Sequence, residues 1–321
     1  MAKIFRNYNT LAEYEADKNK PTNVVCFIKD SKVIYVDGIQ YSYKQLDYLP
    51  PATTEAEALE YMSKIIKNAK EVGLIHVKPV IYWTGDSNTI DIDGTTYTAE
   101  ADKVNIDGVE YYQIKLDKDL DNSFYKFIWG KFTNLIFEDI DTSNVTSMVS
   151  MFENCRNLTS LNLRKFNTSR VVSMTRMFYS CNALKYLDVS KFDTSNVNSM
   201  RAMFNNCQAL TSLDLSGWNT SNVTNLYRMF IYCSKLTTLI LSRWNTNNIT
   251  NMGGMFVDCK ALAYLDLSGW DISNVTDMSS MFQNCTSLKT IKMVGCSQTT
   301  IDKIKAQLTT DGITGCTIVT E

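Results

Sequence analysis

Histidine and proline are scarce in this chain of 321 residues. It holds one histidine and four prolines, and all five lie before residue 80. A nucleophile–histidine pair would have to use His76, whose neighbours Leu74, Ile75 and Val77 are apolar, and a lone histidine in such a stretch more often packs in a strand. Candidate acid and base groups do not cluster elsewhere. The sequence therefore predicts no enzyme and no catalytic residue.

An excess of charge and a long apolar run are also missing. The net charge is −2, with 21% charged and 45% hydrophobic residues. A nucleic-acid-binding surface needs a basic stripe, and a membrane helix needs about 20 apolar residues, so we expect neither nucleic-acid binding nor membrane insertion. The first residues contain no apolar secretory segment, which predicts folding in a cytoplasm.

Motifs for metals and phosphates are absent or incomplete. Residues 117–121 read Asp-x-Asp-x-Asp, like the first half of a calcium loop, but Asn122 replaces the glycine and Ile128 the bidentate glutamate. No glycine-rich phosphate loop is present. We therefore predict no metal and no cofactor.

A 26-residue repeat fills the second half of the chain. Six cysteines hold this period, and each follows a Met-Phe pair and precedes a leucine and an apolar-x-apolar pair. The cysteines are Cys155, Cys181, Cys207, Cys233, Cys259 and Cys285. An aromatic column follows at Phe166, Phe192, Trp218, Trp244 and Trp270. Extrapolation backwards places the start of the array near Phe132. A single repeat cannot bury its apolar side alone, so the coils must stack.

Each repeat predicts one strand, one turn and one short helical segment. Leu161-Asn162-Leu163 alternates as a half-buried strand does, and residues 167–169 (Asn-Thr-Ser) are turn formers. Apolar residues spaced by three and four from Val171 to Phe178 favour a helical or 3₁₀ segment. Stacked strands, about 4.8 Å apart, would form a parallel sheet about 30 Å long over seven coils.

The cysteine column has three interpretations. Small buried thiols that fill the coil interior are the favoured one. Stacking brings neighbouring Cα atoms close enough for disulfides, but side chains that point the same way disfavour the disulfide torsion. Metal binding is disfavoured because no histidine or second cysteine accompanies the column.

The run from Phe152 to Leu163, Phe-x-x-Cys-x-x-Leu-x-x-Leu-x-Leu, resembles the leucine-rich-like repeats of bacterial surface proteins of the BspA type. The resemblance covers residues 132–293, and it implies a binding scaffold without identifying a ligand. The linker from Trp218 to Val223 is similar to a variant found in surface proteins of Bacteroidetes, Mycoplasma and Listeria. Two features depart from the BspA pattern: the proline after the strand is missing, and methionines stand where alanine is usual.

The N-terminal region predicts small β-rich modules with short helices. Helices are expected from Thr10 to about Lys18 and from Glu55 to Ala69, and strands at residues 24–28 and 33–36. Asp-Gly at residues 37–38, 93–94 and 107–108 predicts three tight hairpins. After Gly295, a helix near residues 301–308 and a strand near 316–320 predict a C-terminal cap.

The opening pattern (Phe5-Arg6-Asn7-Tyr8, then residues 11–17 and a strand ending in Lys29-Asp30) resembles virion fibre and appendage proteins of Bacteroides phages.

Taken together, these patterns predict an α+β chain with a leucine-rich-repeat-like β/α solenoid. Its segments are a docking or anchor segment (1–50), a small α+β module with hairpins (51–127), the solenoid (128–294) and a C-terminal α/β cap (295–321).

Exposed arginines and tyrosines in the middle coils are the predicted binding residues, because both types are enriched in binding hot spots. They are Arg176, Tyr179, Arg201, Tyr227, Arg228 and Tyr232. The other candidate is the opposite strand face, which carries Asp188, Asp214, Asp266, Tyr186 and Tyr264. For either face, a solvated surface that binds no partner is an open alternative.

The leading functional hypothesis is a phage virion appendage, a head fibre or tail-associated protein. Its N-terminal region would bind other virion proteins, its solenoid a host-surface glycan or protein, and it would form a homo-oligomer. The alternative is a bacterial cell-surface adhesin or interaction module without a virion link.

Overall fold

The computed structural model describes residues 4–8, 24–28, 33–36, 39–42, 80–92, 95–100, 103–115, 132–138 and 140–321. They belong to two compact units, Met1–His76 and Val77–Glu321. The helices predicted at residues 10–18 and 55–69, His76 and the calcium-like residues 117–122 and 128 lie outside the described residues.

The first unit contains a four-stranded sheet in chain order. Its strands are β1 (Ile4–Tyr8), β2 (Val24–Ile28), β3 (Val33–Val36) and β4 (Ile39–Ser42). β1 and β2 are parallel, whereas β2, β3 and β4 pair antiparallel. The two strands predicted at residues 24–28 and 33–36 are confirmed.

The second unit begins with hairpins that lead into the repeats. Its first strands are β5 (Val80–Gly85), β6 (Thr89–Ile92), β7 (Thr95–Thr98), β8 (Val104–Ile106), β9 (Val109–Lys115), β10 (Phe132–Glu138) and β11 (Ser160–Asn162). β6 pairs with β7, and the others form a sheet in the order β11-β10-β5-β9-β8.

The strands that flank each of the three Asp-Gly dipeptides pair antiparallel, as predicted. The strands meet at Val36 opposite Ile39, Ile92 opposite Thr95, and Ile106 opposite Val109. At the last of these, Asp107 and Gly108 have φ angles of 51° and 82°. Positive φ at both central residues defines a type I′ turn, whose twist matches that of the flanking strands.

The first coil of the repeat array is covered by β5. β10 pairs parallel with β11, Leu135 opposite Leu161, and antiparallel with β5. Trp83 on β5 is fully buried, and its ring centroid lies 5.9 Å from that of Phe132. β5 therefore pairs the edge of the first coil and shields its apolar face. The strand of this coil, β10, begins at Phe132.

The later coils contribute one short strand each or none. These strands are β12 (Ser212–Asp214), β13 (Thr238–Ile240), β14 (Tyr264–Asp266), β15 (Thr290–Lys292) and β16 (Thr317–Val319). They pair parallel in two groups, β12-β13 and β14-β15-β16, so that Leu213 faces Leu239, its equivalent in the next coil. Residues 182–189 form no strand. The prediction of one continuous parallel sheet is therefore wrong.

The apolar columns stack inside the coils, each side chain on its equivalent one coil away. Phe152, Phe178, Phe204, Phe230, Phe256 and Phe282 lie with ring centroids 5.5–5.9 Å apart and planes nearly parallel. Trp244 and Trp270 stack at 6.3 Å. Burial of these rings and of the leucine columns drives the stacking that no single repeat achieves alone.

The cysteine column is buried and reduced, as predicted. The six periodic thiols are free and fully or almost fully buried. From Cys181 onward, each donates a hydrogen bond to the carbonyl of the phenylalanine 29 residues earlier, for example Cys207 Sγ to Phe178 O at 3.2 Å. Burial raises the pKa of Cys233 to about 12, so the reactive thiolate is suppressed.

The turns hold a second buried column. Thr142, Thr168, Thr194, Thr220 and Thr246 are each about 1% exposed. Each hydroxyl donates to the carbonyl 25 residues ahead, at 2.8–3.0 Å. These bonds satisfy buried polar groups that would otherwise destabilise the fold, and they join each turn to the next coil.

The segments predicted to be helical are successions of tight turns. Met177 N–H donates to Met174 O, and Cys181 N–H to Phe178 O, so the three-residue period is present. However, Arg176 and Ser180 have φ angles of 56° and 58°. A left-handed residue cannot continue a right-handed helix. The helical prediction is wrong, although the four apolar residues behind it, Val171, Met174, Met177 and Phe178, are all buried.

These turn segments carry the continuous backbone ladder of the array. We call them the ridge: residues 147–154, 173–180, 199–206, 225–232, 251–258 and 277–284. In each of the first five segments alternate N–H groups donate to the next coil at 2.7–3.1 Å. At the first junction the donors are Met148, Ser150, Phe152 and Asn154, and the acceptors are Ser173, Thr175, Met177 and Tyr179. Parallel bridges connect all six segments. The ridge thus holds the coils in register.

A helix and a strand close the C-terminal end. Helix α1 (Gln298–Thr310) starts at Ser297, whose side chain accepts a hydrogen bond from Thr300 N–H. Ile301, Ile304 and Leu308 are buried, and β16 extends the sheet beside β15. This agrees with the predicted cap. The described chain is mostly β, with a solenoid of 26-residue coils and one helix, so the α+β class with a β/α solenoid is corrected to this description.

Candidate binding ridge

The six predicted binding residues lie on three successive coils of the ridge. Arg176 and Tyr179 lie on the first, Arg201 on the second, and Tyr227, Arg228 and Tyr232 on the third. Arg176 N–H donates to Arg201 O at 2.9 Å, and Ala202 N–H donates to Tyr227 O at 2.8 Å. The backbone ladder therefore places these residues next to one another on one face.

Arg176 lies over an aromatic ring and beside a carboxylate. Its guanidinium carbon is 4.4 Å from the ring centroid of Tyr179. It also forms an ion pair with Glu153 of the preceding coil. Its buried Nε has no hydrogen-bond partner among the described residues. The guanidinium group is thus held from two sides, and part of its donor capacity is unused.

Tyr227 is the centre of a second cluster. The guanidinium carbons of Arg201 and Arg228 lie 5.6 and 4.9 Å from its ring centroid. A cation within about 6 Å of an aromatic face is attracted by about 0.5–1 kcal/mol at exposed sites. A Cβ at Gly254 would lie 3.2 Å from Arg228 Cγ, so glycine there leaves room for the arginine stem. Arg228 is therefore positioned by both neighbours.

The two arginines of this cluster carry unpaired charge. In the described part of the chain, no carboxylate lies within 4.0 Å of the guanidinium nitrogens of Arg201 or Arg228. The acidic side chains in the ridge segments before and after the middle coils are already paired, Glu153 with Arg176 and Asp258 with Lys260. The middle coils therefore present an excess of positive charge on a chain whose net charge is −2.

Three of the six residues occupy backbone positions that disfavour large side chains. Arg176, Arg228 and Tyr232 have φ angles of 56°, 55° and 62°. The equivalent positions of the other coils hold small residues, asparagine or aspartate: Ser150, Asn154, Ser180, Ala202, Asn206, Gly254, Asp258, Ser280 and Asn284. A left-handed conformation costs a residue with a Cβ about 1–2 kcal/mol, and asparagine and aspartate tolerate it better than bulky residues do. Costs of this kind persist mainly where the side chain has a function.

The structure separates the predicted residues into two clusters and one outlier. Arg201, Tyr227 and Arg228 form one cluster, and Arg176 and Tyr179 form the other. Tyr232, 47% exposed, belongs to neither. Sequence reasoning missed Glu153 and Gly254. The signal for Glu153 was available, because it stands one repeat before Tyr179 in the same column.

The strand face offers a shallow open groove of about 760 Å³, where residues 182–189 interrupt the strands. Asp188 is paired there with Arg164 at 3.3 Å. Hydrogen bonds from the Ser190 side chain and backbone, with the charge of Arg164, lower the pKa of Asp188. Tyr186 is exposed, but its backbone lacks the left-handed strain of the ridge. The charge of Asp188 is thus paired within the fold.

The described ranges hold neither a metal centre nor a membrane span. No group of three or more histidine, cysteine, aspartate or glutamate side chains in them is arranged to hold an ion. No helix there is long and apolar enough to cross a membrane.

Stacked 26-residue coils with a polar, variable ridge define a repeat protein of the β-solenoid class. The family described as "Mycoplasma protein of unknown function, DUF285" matches residues 118–214 and 202–304. Together the two matches run from residue 118 to residue 304, which is more than half of the chain. The chain belongs to the DUF285 family, and the BspA-like repeat resemblance agrees with this membership. No curated protein matches the chain.

Proposed function

We propose that the chain is a binding scaffold, not an enzyme, and that the ridge of its middle coils contacts the partner. The supporting observation is the conformational strain at Arg176, Arg228 and Tyr232. Glycine would remove this strain and asparagine or aspartate would reduce it, as at Gly254, Asn206 and Asp258 in equivalent positions of other coils. Large polar and aromatic side chains at such positions are explained by a use outside the fold.

The test replaces Arg201, Tyr227 and Arg228 together with serine and measures attachment of the purified protein to host cells. We expect attachment to fall sharply, since planar guanidinium and phenol groups provide the contact. The variant should stay folded, because none of the three side chains belongs to the buried core and serine already stands at the equivalents of Arg228 in two other coils, Ser150 and Ser280.

The matched control alters the other face, with Asp188, Asp214 and Tyr264 replaced by serine. Attachment should be retained in that variant. If the ridge variant attaches normally and the control does not, the strand face is the binding surface. If neither variant loses attachment, the solenoid acts as a spacer and the proposal is wrong.

We further propose a phage virion as the setting, with the chain as a head fibre or tail-associated appendage. The support is the N-terminal pattern from Phe5 to Asp30, which resembles Bacteroides phage appendage proteins. In this setting the N-terminal region docks on other virion proteins, the chain forms a homo-oligomer, and the ridge meets a glycan or protein of the host surface. The second candidate is a bacterial cell-surface adhesin, which the repeat family favours.

A further inference from the structure

The ridge cluster around Tyr227 has the donors and the charge to bind anionic groups. Arg201 and Arg228 are both exposed, and neither has a carboxylate partner within 4.0 Å among the residues that the structure describes. A guanidinium group presents five N–H donors in a planar fork that matches a carboxylate, sulfate or phosphate. Two such forks near one ring form an anion site.

Both guanidinium groups are held before a ligand arrives. Their central carbons lie 5.6 and 4.9 Å from the Tyr227 ring centroid, and the stem of Arg228 passes over Gly254. Because the side chains are already placed, less rotamer entropy is lost on binding. The positions of these guanidinium groups also determine which chemical groups a ligand meets on this surface. Guanidinium groups lie beside the Tyr179 and Tyr227 rings, so hydrogen-bond donors are prominent on this surface.

The three arginines follow the solenoid axis. Arg176, Arg201 and Arg228 lie on coils that are joined directly by backbone hydrogen bonds. Paired strands lie about 4.8 Å apart, so the backbones that carry these charges advance by about that distance per coil. A ligand that meets all three is extended along the axis, and it carries anionic groups where it meets the two unpaired guanidinium groups, those of Arg201 and Arg228.

We infer that the ridge binds a linear acidic polysaccharide, with Arg201 and Arg228 recognising its anionic groups; this inference rests on the proposed role of the ridge as the contact surface. Sugar hydroxyls accept hydrogen bonds from the remaining guanidinium N–H groups. The exposed ring of Tyr232 lies on the same coil as Tyr227 and offers an aromatic face to a sugar ring.

An acidic protein segment fits the ridge less well. The apolar side chains of this surface, Ala202 between the Arg176 and Arg228 positions and Ile231 next to Tyr232, are buried. Protein interfaces usually contain an apolar core, and these buried residues provide none. In an extended peptide, side chains on one face repeat about every 6.8 Å. Carboxylates about 6.8 Å apart do not match arginines whose backbones are about 4.8 Å apart from one coil to the next.

The experiment measures binding of the full chain to three labelled polymers at low ionic strength, by fluorescence anisotropy. Polygalacturonate is the acidic polysaccharide, dextran the neutral one, and poly-L-glutamate the acidic peptide. The variant is Arg201→Gln with Arg228→Gln. The charge-matched control, Arg164→Gln with Arg243→Gln, removes two exposed arginines outside the ridge. Thermal unfolding checks that both variants fold.

We expect polygalacturonate to bind the unaltered chain and to bind the ridge variant at least about tenfold more weakly, because two charge-assisted contacts are lost. Affinity should be unchanged in the control and should fall as salt is added. Dextran should not bind, and poly-L-glutamate should bind more weakly than polygalacturonate.

Several results would overturn the inference: no binding of polygalacturonate, equal binding of dextran, or equal loss in the control variant. Tighter binding of poly-L-glutamate would assign the ridge to an acidic protein segment instead. The attachment test with the serine variant distinguishes failure of this inference from failure of the proposed function. Attachment that depends on the ridge, without binding of polygalacturonate, leaves the contact surface standing and removes only the acidic polysaccharide.

Discussion

At the scale of single residues, Tyr232 shows how the ridge accepts a side chain that its backbone disfavours. Its φ of 62° is close to those of Asn206 and Asn284 in the same column. Asparagine adopts this conformation more readily than tyrosine. Ladder bonds fix the backbone here, Tyr232 N–H donating to Val257 O at 2.8 Å. The backbone at this position therefore stays left-handed whichever side chain it carries, and tyrosine bears the conformational strain.

We predict that Tyr232→Asn raises the free energy of unfolding by about 0.5–1 kcal/mol, since relief of left-handed strain exceeds the small loss of ring burial. Urea unfolding measures the change. The reverse substitution at the equivalent position, Asn206→Tyr, should lower the free energy by a similar amount. If Tyr232→Asn is less stable than the unaltered chain, packing of the ring outweighs the strain.

The buried thiols predict a loss of stability at alkaline pH. Burial raises the pKa of Cys233 from about 9 to about 12. Above pH 9 the unfolded chain has lost this proton and the folded chain keeps it, so the stability contributed by the neutral thiol falls by about 1.4 kcal/mol per pH unit until pH 12. Below pH 9 both states are protonated and the contribution is constant.

Cys233→Ser isolates this effect, because a hydroxyl can still donate to Phe204 O but does not titrate in the range. The stability of the unaltered chain should fall more steeply than that of the variant between pH 9 and 11, with no difference in slope between pH 7 and 8. Parallel curves over the alkaline range would show that this thiol does not keep its proton in the folded chain.

At the scale of elements, the sequence is informative where a pattern is local. The Asp-Gly dipeptides located three hairpins, and the 26-residue period located the buried columns. The ridge was predicted as helical because residues such as Val171, Met174 and Met177 have the spacing of three that helices and successive tight turns share. The residues that distinguish successive tight turns from a helix are those that tolerate a left-handed backbone, such as Asn206 and Asp258.

The pairing of β5 with β10 was not predictable from local patterns, because its partners, such as Trp83 and Leu135, are far apart in the chain. The arrangement of Arg201 and Arg228 near Tyr227 was predictable in part. The repeat period places their backbones, whereas the guanidinium positions depend on Gly254 and on ring contacts that only the structure shows.

The covering strand β5 predicts where a fragment must begin. A fragment of residues 77–321 keeps β5 and should melt at the temperature of the full chain's second unit. A fragment of residues 128–321 loses Trp83 and Ile81 and exposes the edge of β10, so we expect a lower melting temperature and association through that edge. Thermal unfolding and gel filtration of both fragments test this. Equal melting temperatures would show that β5 adds nothing to the solenoid.

At the scale of the whole molecule, the proposed virion setting assigns different roles to the two compact units. Mass spectrometry of purified particles should detect the full chain, whereas the fragment of residues 77–321, supplied in its place, should be missing from particles. The fragment's attachment to host cells should be retained. If the fragment is incorporated normally, docking does not need the first unit, and if the full chain is missing from particles, the cell-surface alternative is favoured.

The identical junctions of the ridge ladder have an evolutionary consequence. Each internal coil presents the same donors to the coil after it and the same acceptors to the coil before it, so removal of an internal 26-residue unit joins two surfaces that already fit. Unequal recombination between the repeats of a gene therefore yields folded proteins that differ in length by whole coils. Such a lineage can extend or shorten its ridge in one genetic event, while the caps at both ends stay unchanged.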